Sequence, residues 1–325
     1  MRNFESFLSP RFNEFVAYRK AMGYATEHSI NSLHLFDRYL IDKGADWDSL
    51  TPVFFLQMRS DLPMEPVSAN SVLMTLRVFF RFLLRRNYVQ QSPVQDVPLL
   101  KENITVPFVF SPEQTNQLIT AVEKRVRREE SFFLTDLAIY LALLLLARCG
   151  LRISEPLKLL RHHYRKEDRT LYIEKTKFKK DRLIPIPKTV RKELDNYLSV
   201  RQALKPDDRN PYLLAGKNQE SLKDYQVRSV FHQAVQDIGL EQKRRVVGNM
   251  NFSQPIPHSL RHSFAVNTLS AIIERKESAQ EALPVLAAYL GHKKYHYSSV
   301  YLKVADAQNR NDLLDFTLWQ EWKNI

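Results

Sequence analysis

Pro257-His258-Ser259-Leu260-Arg261-His262-Ser263-Phe264-Ala265, then Leu290-Gly291-His292, then Tyr301 nine positions on, form the stretch around which the rest of the chain is organised. Leu260 to Leu269 carries a helical apolar period, so His258 and Arg261, three apart, would project from one face near the helix N-terminus. That terminus offers unpaired backbone N–H groups, and an anion such as phosphate is its natural guest. A tyrosine is an odd companion for such a cluster unless it reacts. With a pKa near 10, only about 0.1 % of a tyrosine is ionised at pH 7. A neighbouring imidazole would take the proton as the phenol oxygen attacks, while Arg and His⁺ hold the developing negative charge. Each member has a plainer reading by itself: His292 as a residue at a helix end, Tyr301 as a core aromatic. The ordered set is far more specific than any one of them.

HSLRHSFA, LGH and the tyrosine nine residues later resemble the boxes of the tyrosine recombinase (phage integrase) family. A second match lies upstream, in Ala147-Arg148-Cys149-Gly150-Leu151-Arg152-Ile153-Ser154-Glu155, where the family's arginine after Gly-Leu binds the scissile phosphate. Cys149, where the family often has Thr, and Pro156, just after the box, depart from the pattern without removing a reacting group. The plainer role for Arg152 is an ion pair with Glu155. The family keeps a catalytic lysine on a β-hairpin, five residues before an Arg-Leu-Ile/Val-Pro run. Thr170–Ile173 and Arg182–Ile186 read as the two strands, and counting back from Arg182 gives Lys177. Lys175, Lys179 and Lys180 share the turn, so the assignment among them stays open, and these three are candidates to touch DNA.

The resemblance implies a mainly α fold with a small antiparallel sheet in the catalytic domain, arranged as a two-domain DNA clamp. Residues 1–105 would be the helical core-binding domain and 106–325 the catalytic domain with a C-terminal tail. Four helices are expected in the first: Phe7–Met22, Glu27–Lys43, Pro52–Leu62 and Ser68–Asn87. In the last, Arg77, Arg81 and Arg85 recur every four residues, a phosphate track or simply a solvated face. Pro98–Phe110 reads as a linker, and Ser111-Pro112-Glu113-Gln114 as a helix start with a capping box. A buried helix follows Ser131, and Arg191–Leu204 and Tyr225–Gly239 are amphipathic. Lys243-Arg244-Arg245 is a further basic run that would meet DNA. The charged segment Glu274–Gln280 should lengthen a helix or loop.

The chain has 325 residues, 44 % of them hydrophobic, enough for two domains each with a core. A formal net charge of +12 favours a polyanionic partner, here double-stranded DNA. The one cysteine, Cys149, excludes an internal disulfide and suits the cytoplasm, and MRNFESFLSP lacks the apolar core of a signal peptide. The apolar run Leu137–Ala147 is too short to span a bilayer, so no membrane is expected.

The chemistry implied is transesterification through a 3′-phosphotyrosyl ester, with Arg152, Lys177, His258, Arg261, His292 and Tyr301 as the catalytic set. The ester conserves the energy of the broken bond, so no cofactor or metal is called for. A homotetramer on two DNA sites is implied, and accessory DNA-bending proteins are compatible with it without being required by the sequence. The tail, Asp312–Ile325, carries an apolar stripe of Leu314, Leu318 and Trp322 that would dock on its own domain or on a neighbouring protomer. Three rivals stand beside this reading: a type IB topoisomerase, a catalytically idle DNA-binding protein of the same fold, and a metal-dependent nuclease using His258, His262, His292 and His296.

Overall fold

The computed structural model describes residues 3–174, 181–292 and 301–302. The chain divides into two compact units, Met1–Ile104 with Gly248–Met250, and Thr105–Val247 with Asn251–Ile325.

The first unit is built from helices α1 (Ser9–Ala21), α2 (Glu27–Asp42), α3 (Pro52–Asp61) and α4 (Pro66–Arg85), each within two residues of its expected bounds. Their apolar periods converge on an aromatic core of Phe12, Phe15, Phe36, Phe55, Phe79 and Phe80, all buried. Phe55 and Phe80 meet edge to face with centroids 5.4 Å apart, an arrangement that adds roughly 0.5–1.5 kcal/mol to the burial itself. Asp37 is also buried, and its carboxylate accepts the backbone N–H groups of Glu5 and Ser6 at 2.9 and 3.0 Å, tying the chain start to α2.

Strands β1 (Ile104–Val106), β5 (Arg245–Val247) and β6 (Met250–Phe252) form a small sheet in the order β1-β6-β5. The second unit opens with α5 (Pro112–Lys124). Its Ser111 hydroxyl accepts from Gln114 N–H while the Gln114 side chain accepts from Ser111 N–H, the reciprocal cap expected there. Helix α6 (Glu130–Cys149) is apolar on every face from Leu137 to Ala147, and that part forms the centre of the core. It and α4 are long and apolar enough to cross a membrane by length and composition, and both are packed into cores. Strands β2 (Tyr164–Arg165), β3 (Thr170–Ile173) and β4 (Arg182–Pro185) make an antiparallel sheet in chain order, with Leu171 opposite Ile184. Helices α7 (Lys188–Leu204), α8 (Asp224–Asp237), α9 (Pro257–Glu274) and α10 (Ala279–Leu290) complete the unit.

The charged segment at 274–280 is the end of α9, a short turn and the start of α10. Ser278 caps α10 by accepting from Glu281 N–H, and Pro284 lies inside the helix. A smaller core joins the two helices through Ala265, Val266, Leu269, Leu283, Leu286 and Leu290, and Tyr301 is part of it.

Candidate active site

Two chain reversals and a strand pair bring the site together. Helix α6 ends at Gly150, whose φ of 58° is the left-handed conformation that a Cβ disfavours. A Cβ there would also lie 2.5 Å from Phe264 Cδ1, so glycine is required twice over. The reversal releases Arg152 from the helix, and Pro156 then opens a short 3-10 turn over Pro156–Lys158, the helix-start role that makes it tolerable. Helix α10 ends at Gly291, φ 67°, where Gly291 N–H donates to Ala288 O and His292 N–H to Ala287 O. That cap fixes the backbone of His292. The strand pair is β3 with β4, whose first residue is Arg182. Lys175, Lys177, Lys179 and Lys180 lie outside the described residues, as do His296 and the tail 312–325.

Arg261, in the first turns of α9, is only 1 % exposed. Its Nη1 donates to Gly150 O at 2.7 Å and its Nη2 to Leu290 O at 2.6 Å. One guanidinium thus clamps the end of α6 to the end of α10, and with them the segments that carry Arg152 and His292. Burial, with the charge of Arg152 behind it, pushes the Arg261 pKa down to about 10, which leaves it cationic at neutral pH.

Arg152 donates from Nη1 to Glu155 Oε1 at 3.0 Å, and its backbone N–H donates to Glu155 Oε2 at 2.9 Å, so the ion pair that is the plainer reading of this arginine is present. Glu155 has a second cation. Arg182, the first residue of β4, places Nη1 3.0 Å from Oε1 and Nη2 2.9 Å from Oε2, and its Nε donates to Tyr289 O at 2.8 Å. Burial alone would raise the Glu155 pKa, but its bonds to Arg182 and the surrounding arginines outweigh that and lower it. The carboxylate is ionised.

Tyr301 is 4 % exposed. Its ring lies 5.5 Å from that of His262 and stacks at 6.0 Å on that of His292. Burial raises its pKa, and the positive charges of Arg261 and Arg152 work against that rise. The His258 ring stands edge-on to His262 at 4.6 Å. Arg152, His258, Arg261, His292 and Tyr301 therefore meet in one place, although they come from 150 positions of chain.

One expectation changes. The sequence reading places an imidazolium beside the tyrosine, whereas burial and then Arg261 and Arg152 push His292 down to about 4. His262 is driven lower still, to about 3, by burial and by His258 and Arg261, and its Nδ1 is buried with no partner among the described residues. Both rings are neutral at pH 7 in the DNA-free protein. Cys149 is sealed in the core and its thiol is pushed up to about 12 by burial, so it is no competing nucleophile. Among the described residues no group of three or more His, Cys, Asp or Glu side chains is arranged to hold a metal ion.

Outside this centre the expected DNA-facing residues separate. Arg81 and Arg85 are exposed on α4. Arg77 instead turns its guanidinium onto its own unit, donating to Val97 O at 2.6 Å and Val94 O at 3.4 Å. Its period of four with the other two does not give it their environment. Lys243, Arg244 and Arg245 are exposed, with Arg244 donating to Asn251 Oδ1 and Arg245 over the Phe252 ring at 5.4 Å.

Arg182 and His262 are the site residues that sequence reading passed over. Arg182 served only to count back to a lysine, and His262 only as a candidate metal ligand. The signal for Arg182 was a carboxylate three residues after Arg152 that needed more than one cation once buried.

The sequence matches the phage integrase family over residues 109–308. A putative integrase/recombinase of Sinorhizobium fredii is 28 % identical over 305 residues, 93 % of each chain. Tyrosine recombinase XerC of Alcanivorax borkumensis is 27 % identical over 298 residues, 89 % of this chain and 87 % of its own. Among solved structures, XerH recombinase in a post-cleavage complex with a palindromic difH substrate superposes with a TM-score of 0.66 at 16 % identity, over 90 % of this chain and 80 % of that one. The chain belongs to the phage integrase family, the tyrosine-type site-specific recombinases.

Proposed function

We propose that this recombinase cuts and rejoins double-stranded DNA with Tyr301 as the nucleophile. The phenol oxygen attacks the scissile phosphorus as the P–O5′ bond breaks, giving a 3′-phosphotyrosyl ester and a free 5′-hydroxyl. His258 takes the tyrosine proton, and a lysine of the 175–180 turn, Lys177 by spacing, gives one to the leaving 5′-oxygen. Arg152 and Arg261 neutralise the non-bridging oxygens, where charge builds up in the transition state. His292, neutral before DNA arrives, donates an N–H to one of them. Religation runs the same steps backwards, and the ester stores the energy, so no nucleotide is consumed.

The observation that carries this reading is the burial of the Tyr301 ring against His292 and His262, beside a guanidinium that clamps both neighbouring boxes. Arg81, Arg85 and the 243–245 run supply phosphate contacts, consistent with the net charge. The residues up to 105 act as the DNA-binding domain and the rest as the catalytic domain. Two duplexes are held by a tetramer in the cytoplasm, with DNA-bending proteins assisting.

Tyr301→Phe tests the centre of the reading. Incubated with end-labelled duplexes carrying candidate sites, the variant should bind as the parent does and form no covalent adduct. An adduct that survives Tyr301→Phe and disappears with Tyr297→Phe or Tyr295→Phe would move the nucleophile.

A further inference from the structure

Three guanidiniums stand around one carboxylate in the site, and only two of them are accounted for by binding phosphate. Arg182 is 9 % exposed and Glu155 5 %, so neither answers to solvent. Both Glu155 oxygens are shared: Oε1 accepts from Arg152 Nη1 and Arg182 Nη1, and Oε2 accepts from Arg152 N–H and Arg182 Nη2. Arg182 makes the two-pronged contact, which is the stronger and more directional of the two. Arg152 reaches the carboxylate with one nitrogen of its guanidinium and is 16 % exposed, the most accessible of the trio.

We propose that Arg182 is a positioning residue for strand cleavage: it neutralises Glu155, so that Arg152 is oriented by the carboxylate without being cancelled by it. The inference rests on the role given to Arg152 above. Charge arithmetic makes the case. Arg152, Arg182 and Glu155 together carry one net positive charge, which is available at the exposed end of Arg152. Without Arg182 the pair is neutral, and a buried carboxylate with one cation would draw that cation inward. Arg182 does a second thing from the same position. Its Nε holds Tyr289 O, next to the Leu290 O held by Arg261, and its guanidinium lies against Gly291, where a Cβ would come within 3.1 Å of Nη1. Consecutive carbonyls at the end of α10 are therefore held by two different arginines, immediately before His292.

The test is cleavage under single-turnover conditions at saturating DNA. Arg182→Gln should bind DNA as the parent does and cleave about a hundredfold more slowly, the scale of loss when a reacting group is displaced by about 1 Å. Adding Glu155→Gln should then speed the enzyme up, because it removes the uncompensated charge while leaving an acceptor for the Arg152 N–H. A methylphosphonate at the scissile position, which lacks one negative charge, should shrink the Arg182→Gln loss. Arg182→Lys, which keeps the charge that neutralises Glu155 and loses the fork, serves if the first variant does not fold: it should lose far less than about a hundredfold, and a loss of that full size would overturn the proposal. A double variant no faster than Arg182→Gln alone, with an undiminished loss on methylphosphonate, would overturn the proposal. If Arg152→Ala itself cleaves at the parental rate, the role of Arg152 falls and this inference with it. If Arg152→Ala is inactive and the double variant shows no recovery, only the inference falls.

Discussion

Gly150 joins the backbone of the site to its chemistry, and Gly150→Ala separates two costs that the structure predicts. The first is conformational: at φ 58° an L-residue pays roughly 1–2 kcal/mol for the left-handed backbone. The second is steric: the new Cβ would sit 2.5 Å from Phe264 Cδ1 and 3.1 Å from Leu290 Cδ2, and such overpacking costs about 1–3 kcal/mol. Gly239 provides the control. Its φ is 67° and a Cβ there would meet nothing within 4 Å, so Gly239→Ala reports the backbone cost alone. Together the two terms reach about 2–5 kcal/mol at Gly150, which lowers the melting temperature of a unit of this size by roughly 4 to 20 °C. Gly239→Ala should lose clearly less. Cleavage should fall as well, because Phe264 and Leu290 must move, and the Leu290 and Gly150 carbonyls are the two acceptors of Arg261. Thermal unfolding of both variants, followed by adduct formation at a temperature where both are folded, measures each effect. If Gly150→Ala melts no lower than Gly239→Ala, the close approach to Phe264 is not a constraint and the steric argument is wrong.

The pH dependence follows from the two depressed histidines. The unfolded chain binds protons at both near pH 6.5, whereas the folded one refuses them down to about 4 at His292 and about 3 at His262. The unfolded state thus holds more protons in that window, and stability is full above it and lost as the pH falls through it. Urea denaturation at neutral and mildly acidic pH should show a shallower decline for His262→Asn, and an unchanged decline would assign the effect elsewhere. Arg77→Ala should lower the stability of the first unit and leave the salt dependence of DNA binding nearly unchanged, since it bonds carbonyls. Arg81→Ala with Arg85→Ala should leave stability nearly unchanged and make the salt dependence shallower, and an unchanged slope in that pair would refute the assignment. Lys177→Ala should slow cleavage far more than Lys180→Ala, with most of the loss recovered on a substrate whose 5′-bridging oxygen is sulfur; no recovery removes Lys177 from the general-acid role.

What the chain discloses about itself is local. The first four helices, the Ser111 cap and the strands around Leu171 and Ile184 are written in periods and turn residues a few positions apart, and they stand within a few residues of expectation. So is the clustering of His258 with Arg261. Helix α10 was hidden because Pro284 interrupts its pattern, although Ser278 and Gly291 supply an ordinary start and stop. Strands β1, β5 and β6 are three residues each, too short for an alternating pattern to register. Arginines were the least legible of all. Arg77, Arg81 and Arg85 look alike in the sequence, and what distinguishes them is a pair of carbonyls 17 and 20 residues away. Arg182 is 27 residues from Glu155 and 107 from Tyr289, distances at which no period carries information.

The charge balance of the site explains why those arginines matter more than their number. Arg152, Arg182 and Arg261 are packed together with Glu155 as the carboxylate they share, so the DNA-free centre holds an excess of buried positive charge. Lost hydration and then mutual repulsion pull Arg261 down from its usual pKa, and burial, with neighbouring positive charge behind it, likewise keeps His292 and His262 neutral. Such a cluster would come apart if its members were free to turn towards water. Glu155 holds Arg152 and one edge of Arg182, while Arg261 and the Arg182 Nε are held by neutral backbone acceptors, Gly150 O, Leu290 O and Tyr289 O, which fix direction without cancelling charge. A carboxylate in their place would give a more stable protein and a weaker anion site. The phosphate diester is the charge this arrangement lacks, and its arrival would relieve the repulsion that folding has stored beside Tyr301.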